Sequence, residues 1–239
     1  MGQVLPQPMS PPRLVNDFAG IMTPEQQNAL EQTLIDFDRQ TSTQIAVVTV
    51  SDLQGYAPAD YAQRLHERWG VGRAGKDNGI LILVKPKTPD ARGEVFISVG
   101  YGLEGVVPDI TAGRIIDSEM LPAFREGNYY QGIDRAVHVL MGLTAGEFKP
   151  DEYTGNRFPP GMLSGFILFG FFVLWILFSR RRGGGGDDSS QNGSSGGGRW
   201  IPPVIIGRGF GGFGGFGGGG GFGGFGGGDS GGGGGGRSW

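Results

Sequence analysis

The side chains that offer chemistry are carboxylates and an amide gathered in two stretches. Asp77 and Asn78 stand immediately before Gly79, and Glu104 and Asp109 lie in YGLEGVVPD, Tyr101 to Asp109. Oxygen-bearing side chains supplemented by carbonyls of glycine-rich backbone are hard ligands, and with no cysteine or histidine among them they suit Ca²⁺ or Mg²⁺ better than Zn²⁺. A plainer use of the same residues stays open: Asp77-Asn78-Gly79 as a turn, Asp109 as a helix N-cap, Glu104 as a solvated charge. His66 and His138, the only histidines, read as helix-flank residues, and no serine with an acidic partner marks a nucleophile elbow. Gly70-Val71-Gly72-Arg73-Ala74-Gly75 matches GxGxxG, but it leaves a helix and enters a strand, the reverse of a dinucleotide fingerprint.

Bringing the two acidic stretches together requires a particular chain path. Thr43 to Val50 is β-branched and reads as a strand, and a helix from about Pro58 to Trp69 carries Tyr61, Leu65 and Trp69 on one face. Gly79 to Lys85, GILILVK, is apolar without alternation, so it reads as a strand covered on both faces and parallel to the first. Glu94 to Val99 is a third strand. The link from Pro86 to Gly93 is too short for a crossover helix, so the last two strands are antiparallel neighbours. The start of one then meets the end of the other, which sets Asp77 and Asn78 beside the loop holding Glu104 and Asp109.

The remaining helices follow from caps and periodicity. Thr23-Pro24-Glu25-Gln26 supplies an N-cap, a first-turn proline and a capping box ahead of the stripe Leu30, Leu34 and Phe37. Ile110, Gly113, Ile116 and Met120 mark another face that stops before Pro122, and Asn128 with Gln131 resembles a cap for a helix bearing Ile133, Val137 and Leu140. The fold expected is α/β, a mixed sheet with helices on both sides.

Composition divides the 239 residues sharply. Of 50 glycines, 30 lie between Gly183 and Trp239. Residues 13–148 read as one domain, after a proline-rich leader at 1–12 and before a tether at 149–161. Residues 13–150 carry 13 Lys plus Arg and 18 Asp plus Glu, so the net charge is 13 − 18 = −5, which excludes a nucleic-acid footprint. Cysteine is absent, which removes disulfides and thiolate sites.

Met162 to Phe178, MLSGFILFGFFVLWILF, is uncharged and abuts Arg180, Arg181 and Arg182. As a helix it would reach roughly 25 Å against a bilayer core of about 30 Å, so 162–179 reads as one transmembrane helix. The positive-inside bias puts 180–239 in the cytoplasm and the domain outside. The leader has neither the basic start nor the apolar core of a signal peptide, which favours a start whose signal was removed over insertion directed by the span itself. The tail reads as disordered low-complexity sequence, with self-association or partner docking through its spaced phenylalanines as the sharper alternative.

VNDFAGIM, WGVGRAGKDNGILILV, VGYGLEGVVPD and Pro122-Ala123-Phe124 with Gly127, Tyr130 and Gly132 stand in an order that resembles the TPM domain, over about Val15 to Leu143. That family includes a thylakoid-lumen protein of photosystem II repair, an animal channel-associated protein and YgcG-like bacterial membrane proteins. The resemblance implies a Rossmann-like three-layer α/β/α sandwich, and the YgcG-like architecture adds a span and a glycine-rich tail. It implies an auxiliary role toward membrane-protein complexes, divalent-metal binding in some members and acid phosphatase activity in plant relatives. The expectation is therefore a single-pass protein of the bacterial cytoplasmic membrane: a non-enzymatic extracytoplasmic module, binding Ca²⁺ or Mg²⁺ through Asp77, Asn78, Glu104 and Asp109, that assists assembly, repair or quality control of membrane proteins. The alternative is a metal-dependent phosphatase, with Arg73, Lys76 and Arg114 as cations near the phosphate.

Overall fold

The apolar run at Gly79–Lys85 forms strand β3 and is buried from end to end in the computed structural model, as a strand covered on both faces must be. Its residues alternate between two cores. Ile80, Ile82 and Val84 face one apolar cluster, while Leu81 and Leu83 face the other. The structure describes residues 5–147, 149–150, 153 and 222–239, all within one unit.

β2 (Gln44–Thr49) runs parallel to β3, and β4 (Glu94–Val99) runs antiparallel to it, with Ile80 opposite Val99 and Lys85 opposite Glu94. The short link from β3 to β4 thus acts as expected. α1 (Pro24–Thr41) begins with the full capping box: Gln26 N–H donates to Thr23 Oγ1 at 3.3 Å and Thr23 N–H to Gln26 Oε1 at 2.9 Å. α2 (Pro58–Trp69) covers one face of the sheet through Tyr61, Leu65 and Trp69. The opposite face carries α1, α3 (Asp109–Ile115), α4 (Leu121–Arg125) and α5 (Tyr129–Thr144).

β1 (Val15–Asp17) has no counterpart in the sequence reading. It pairs parallel to β2, and two buried acids hold it there. Glu31 on α1 accepts the Leu14 and Val15 amides at 3.1 and 2.7 Å. Asp17 accepts the amides of Ile21 and Met22, the Thr49 hydroxyl and the Gln27 side chain. VNDFAGIM is therefore a structural motif. Its acid satisfies donors that would otherwise be buried without partners.

Three details differ from the periodicity. Ile110 is 64% exposed because it lies in the first turn of α3, and Ala112 and Ile115 are buried in its place. The helix also passes Pro122, since a wide π turn at Ile116–Met120 comes first, with Leu121 N–H reaching Ile116 O, and proline then falls in the opening turn of α4. Asn128 caps α5 by position but makes no side-chain capping bond.

The largest correction concerns the tail. Residues 222–239 are ordered against the domain, and Gly234–Ser238 forms β5, antiparallel to β4, giving a mixed five-stranded sheet in the order β1-β2-β3-β4-β5. Composition pointed elsewhere because glycine has little intrinsic preference for strands; close backbone approach decides here. Met162 to Phe178 and the arginines after it lie outside the described residues, among which no helix is long and apolar enough to cross a membrane.

Trp239 closes the strap against Phe124 and Tyr129, with ring centroids 4.9 and 6.3 Å away. Trp239→Ala in the full chain should cost about 2 kcal/mol, the value of burying a large apolar side chain, and lower the melting temperature by roughly 5 °C. Thermal unfolding followed by circular dichroism checks this. An unchanged midpoint would mean that the end of the tail does not pack on the domain.

Candidate functional site

Without β5, strand β4 would present a bare row of N–H and C=O groups along an apolar sheet. The tail fills that row. Val99 N–H donates to Gly233 O at 3.1 Å, and at the far end Gly93 and Trp239 exchange bonds of 3.1 and 3.0 Å. Arg237, opposite Val95, reaches Asp117 with two bonds of 2.8 Å each, a bidentate pair that fixes register.

The preceding strap, residues 222–233, lies along the loop after α2. Gly226 N–H donates to Gly72 O at 2.9 Å, Ala74 N–H to Gly226 O at 3.0 Å, and Gly227 N–H to Gly70 O at 2.8 Å. The GxGxxG stretch is thus a peptide seat. Its glycines matter for space as well as for backbone angle: Gly70 has φ +64, and a Cβ there would lie 2.8 Å from the Gly227 Cα. Phe225 stacks on Trp69 at 5.5 Å, and Phe222 packs against Phe225 at 5.1 Å.

The same steric demand runs along the strap. A Cβ on Gly231 would meet the Tyr101 ring at 2.1 Å, on Gly234 the Ile97 carbonyl oxygen at 2.0 Å, and on Gly235 the Gly113 nitrogen at 2.5 Å. On the domain side, a Cβ on Gly93 would enter the Trp239 indole at 2.3 Å. At Gly234 and Gly235 the atom met is backbone, which admits glycine only, whereas at Gly231 and Gly93 it belongs to an aromatic ring; that part of a repetitive-looking sequence reads as shape complementarity between two backbones.

The four expected ligands are placed unevenly. The loops do meet: Gly102 N–H donates to Asp77 O at 3.0 Å and Gly100 N–H to Gly79 O at 2.8 Å. Asn78 makes its side-chain bonds within the domain, accepting from Arg73 N–H at 3.0 Å and donating to Ser42 O at 2.8 Å, so its amide closes a turn. Asp77 Oδ1 accepts the Asp229 amide at 3.1 Å, and Asp109 Oδ1 accepts the Gly234 amide at 2.7 Å. Glu104 reaches the same stretch, since a Cβ on Gly233 would lie 2.9 Å from Glu104 Oε1. Asp109 is the first residue of α3, and Pro108 holds the N-cap position. Backbone N–H groups of the strap stand where cations were expected. Among the described residues, no group of three or more His, Cys, Asp or Glu is arranged to hold a metal ion.

His66 is no flank residue. Ala62, Leu65, His66 and Trp69 share the buried stripe of α2, a spacing present in the sequence. Its Nε2 lies 3.1 Å from Val71 O, which can only accept, so Nε2 carries the proton and Nδ1 accepts from the Ser98 hydroxyl at 3.0 Å. Ser98 in turn contacts the Ser230 hydroxyl at 3.2 Å, which ties the strap into the core. Arg73, a candidate phosphate ligand, pairs instead with Asp38 at 2.8 Å.

A family model described as the TPM domain matches residues 15–143. Among solved structures, the N-terminal domain of a protein from P. gingivalis is 32% identical with a TM-score of 0.50, covering 56% of this chain and 83% of that one. BA42 protein from Bizionia argentinensis is 21% identical (TM-score 0.43; 58% and 91% covered), and an N-terminal domain from Corynebacterium glutamicum is 14% identical (TM-score 0.43; 62% and 88% covered). No curated protein matches the chain.

Burial holds His66 at about 4, below its ordinary 6.5, and the Val71 carbonyl and the charge of Asp229 offset this only in part. The unfolded chain therefore takes up the proton first. The stability that neutral His66 contributes is whole above about pH 6.5 and is lost as pH falls to about 4. Melting temperature should drop through that window more steeply in the native chain than in His66→Gln. Parallel profiles would show that His66 does not carry the acid sensitivity.

Proposed function

The chain belongs to the TPM domain family, and on that premise we propose that it is a non-enzymatic, membrane-attached interaction module that works by taking an extended glycine-rich strand onto the edge of β4. The observation that carries this reading is β5 seated on β4, fixed at one end by Trp239 and inside the strand by Arg237 on Asp117. Strand addition to an exposed sheet edge is a general recognition mode: main-chain bonds supply affinity and side-chain pockets supply selectivity. Here the selectivity comes from an aromatic pocket, an acidic partner for arginine and a channel too tight for side chains. The substrate class is then an extended segment of protein, in keeping with assistance to membrane proteins. No specific observation favours a phosphatase: Arg73 is paired with Asp38, and His66 faces Ser98 and a carbonyl inside the core.

Membrane attachment rests on Met162 to Phe178 and the adjoining arginines. A seated β5 adds a constraint, since residues 222–239 must then share the domain's side of the bilayer. A single crossing with the tail opposite and a β5 seated on its own domain exclude each other in one chain. We take the seated arrangement as the working state, with the domain and the end of the tail both extracytoplasmic at the bacterial cytoplasmic membrane.

Two experiments check the reading. A peptide with the sequence of residues 222–239 should bind full-length chain carrying Trp239→Ala and Gly235→Val, which weaken its own strap, several-fold more tightly than native chain. Equal or no binding to both would remove strand capture as the function. In spheroplasts, protease should reach epitopes at residue 150 and after residue 239 alike, whereas a protected tail beside a digested domain would overturn the shared side.

A further inference from the structure

We propose that the β4 seat exchanges its occupant between copies, so that residues 222–239 of one chain complete the sheet of another. This rests on the strand-capture reading above and names its partner as a second copy. The strap touches the domain only through noncovalent contacts, and every one of them can be made identically by a strap arriving from another chain. Exchange of an identical element is a low-cost route to assembly, because only the connection distinguishes the two forms.

That connection is long. Glu147 and Phe222 have 222 − 147 − 1 = 74 residues between them. Effective concentration falls with connection length, so the tail presents itself to its own seat at no more than the order of millimolar. Copies gathered on one membrane surface compete at comparable concentration.

The seat also selects for this chain's own tail. An occupant needs glycine at the positions of Gly234 and Gly235, where a Cβ would lie 2.0 and 2.5 Å from backbone atoms of the domain. It needs arginine opposite Val95 for Asp117 and an indole against Phe124, Tyr129 and the bare backbone of Gly93. A second copy meets all of these conditions with the register already defined. Because donor strand and acceptor edge are different surfaces, two copies that exchange reciprocally close as a dimer, and copies that exchange in one direction grow as a chain.

The test uses the lack of cysteine in the native sequence. Glu94 and Ser238 are directly opposite in the β4–β5 ladder, and an antiparallel pair of this kind brings its Cα atoms within disulfide reach. Full-length chains carrying Glu94→Cys and, separately, Ser238→Cys are mixed, equilibrated and mildly oxidised, with a double variant run alongside. Exchange predicts a mixed cross-linked dimer whose yield rises with total concentration and falls at least tenfold when the Ser238→Cys chain also carries Gly235→Val. A double variant that closes within one chain while no mixed dimer forms would overturn exchange and leave strand capture standing. No cross-link in either would overturn the seat itself. A mixed dimer indifferent to Gly235→Val would mark random collision and also overturn the proposal.

Discussion

The close approach of two backbones along β4 is the constraint on which the rest of the molecule depends. A sheet edge lined on both faces by apolar cores cannot be left bare in water without inviting association, and a covering strand must fit between that edge and α3. Gly235 passes so near Gly113 that a Cβ would lie 2.5 Å from its amide nitrogen. Glycine normally weakens a strand because it loses more freedom on ordering than other residues. Main-chain pairing, the Arg237–Asp117 ion pair and the stacked Trp239 offset that loss at this edge.

The polar groups divide into those that hold the sheet and those that hold the strap. Asp17, Glu31 and Asn78 close backbone donors and acceptors around β1 and the turn into β3. Asp77, Asp109 and Asp117 reach out to the strap, and Ser98 with His66 grips Ser230 from beneath. Of the acids expected as cation ligands, Asp77 and Asp109 accept main-chain N–H groups of the strap. A carboxylate accepting a main-chain amide is a charge-assisted bond, shorter and stronger than its neutral equivalent. Burial, and after it the charge of Glu119, pushes the Tyr153 phenol well above its usual range, so it stays a donor to that carboxylate.

The central sheet was legible because its signals are local. GILILVK states burial on both faces, and the short link before Glu94 states antiparallel pairing; together they brought the two acidic loops to one end. β1 was not legible: three residues carry little periodicity, and what holds them is Glu31, a long-range partner on α1. β5 was hidden by composition, since a run of glycines cannot announce a strand through propensity. One signal was present. Arg237, Ser238 and Trp239 interrupt the repeat with anchoring side chains, and Gly70, Gly93 and Gly113 on the domain leave the matching space. His66 reads as a flank residue if the face is confined to Tyr61, Leu65 and Trp69; Ala62 widens that stripe by one position and carries His66 into the core with it.

Hydrogen exchange on the full-length chain tests the central claim most directly, through the amides of Gly93 and Val99, which donate to Trp239 O and Gly233 O. If the glycine-rich tail completes the sheet, both amides exchange slowly in the native chain and become fast when residues 222–239 are removed, while Ile80 to Val84 in the centre of the sheet stay protected. Fast exchange at Gly93 and Val99 in the native chain, equal to that of the shortened one, would contradict it.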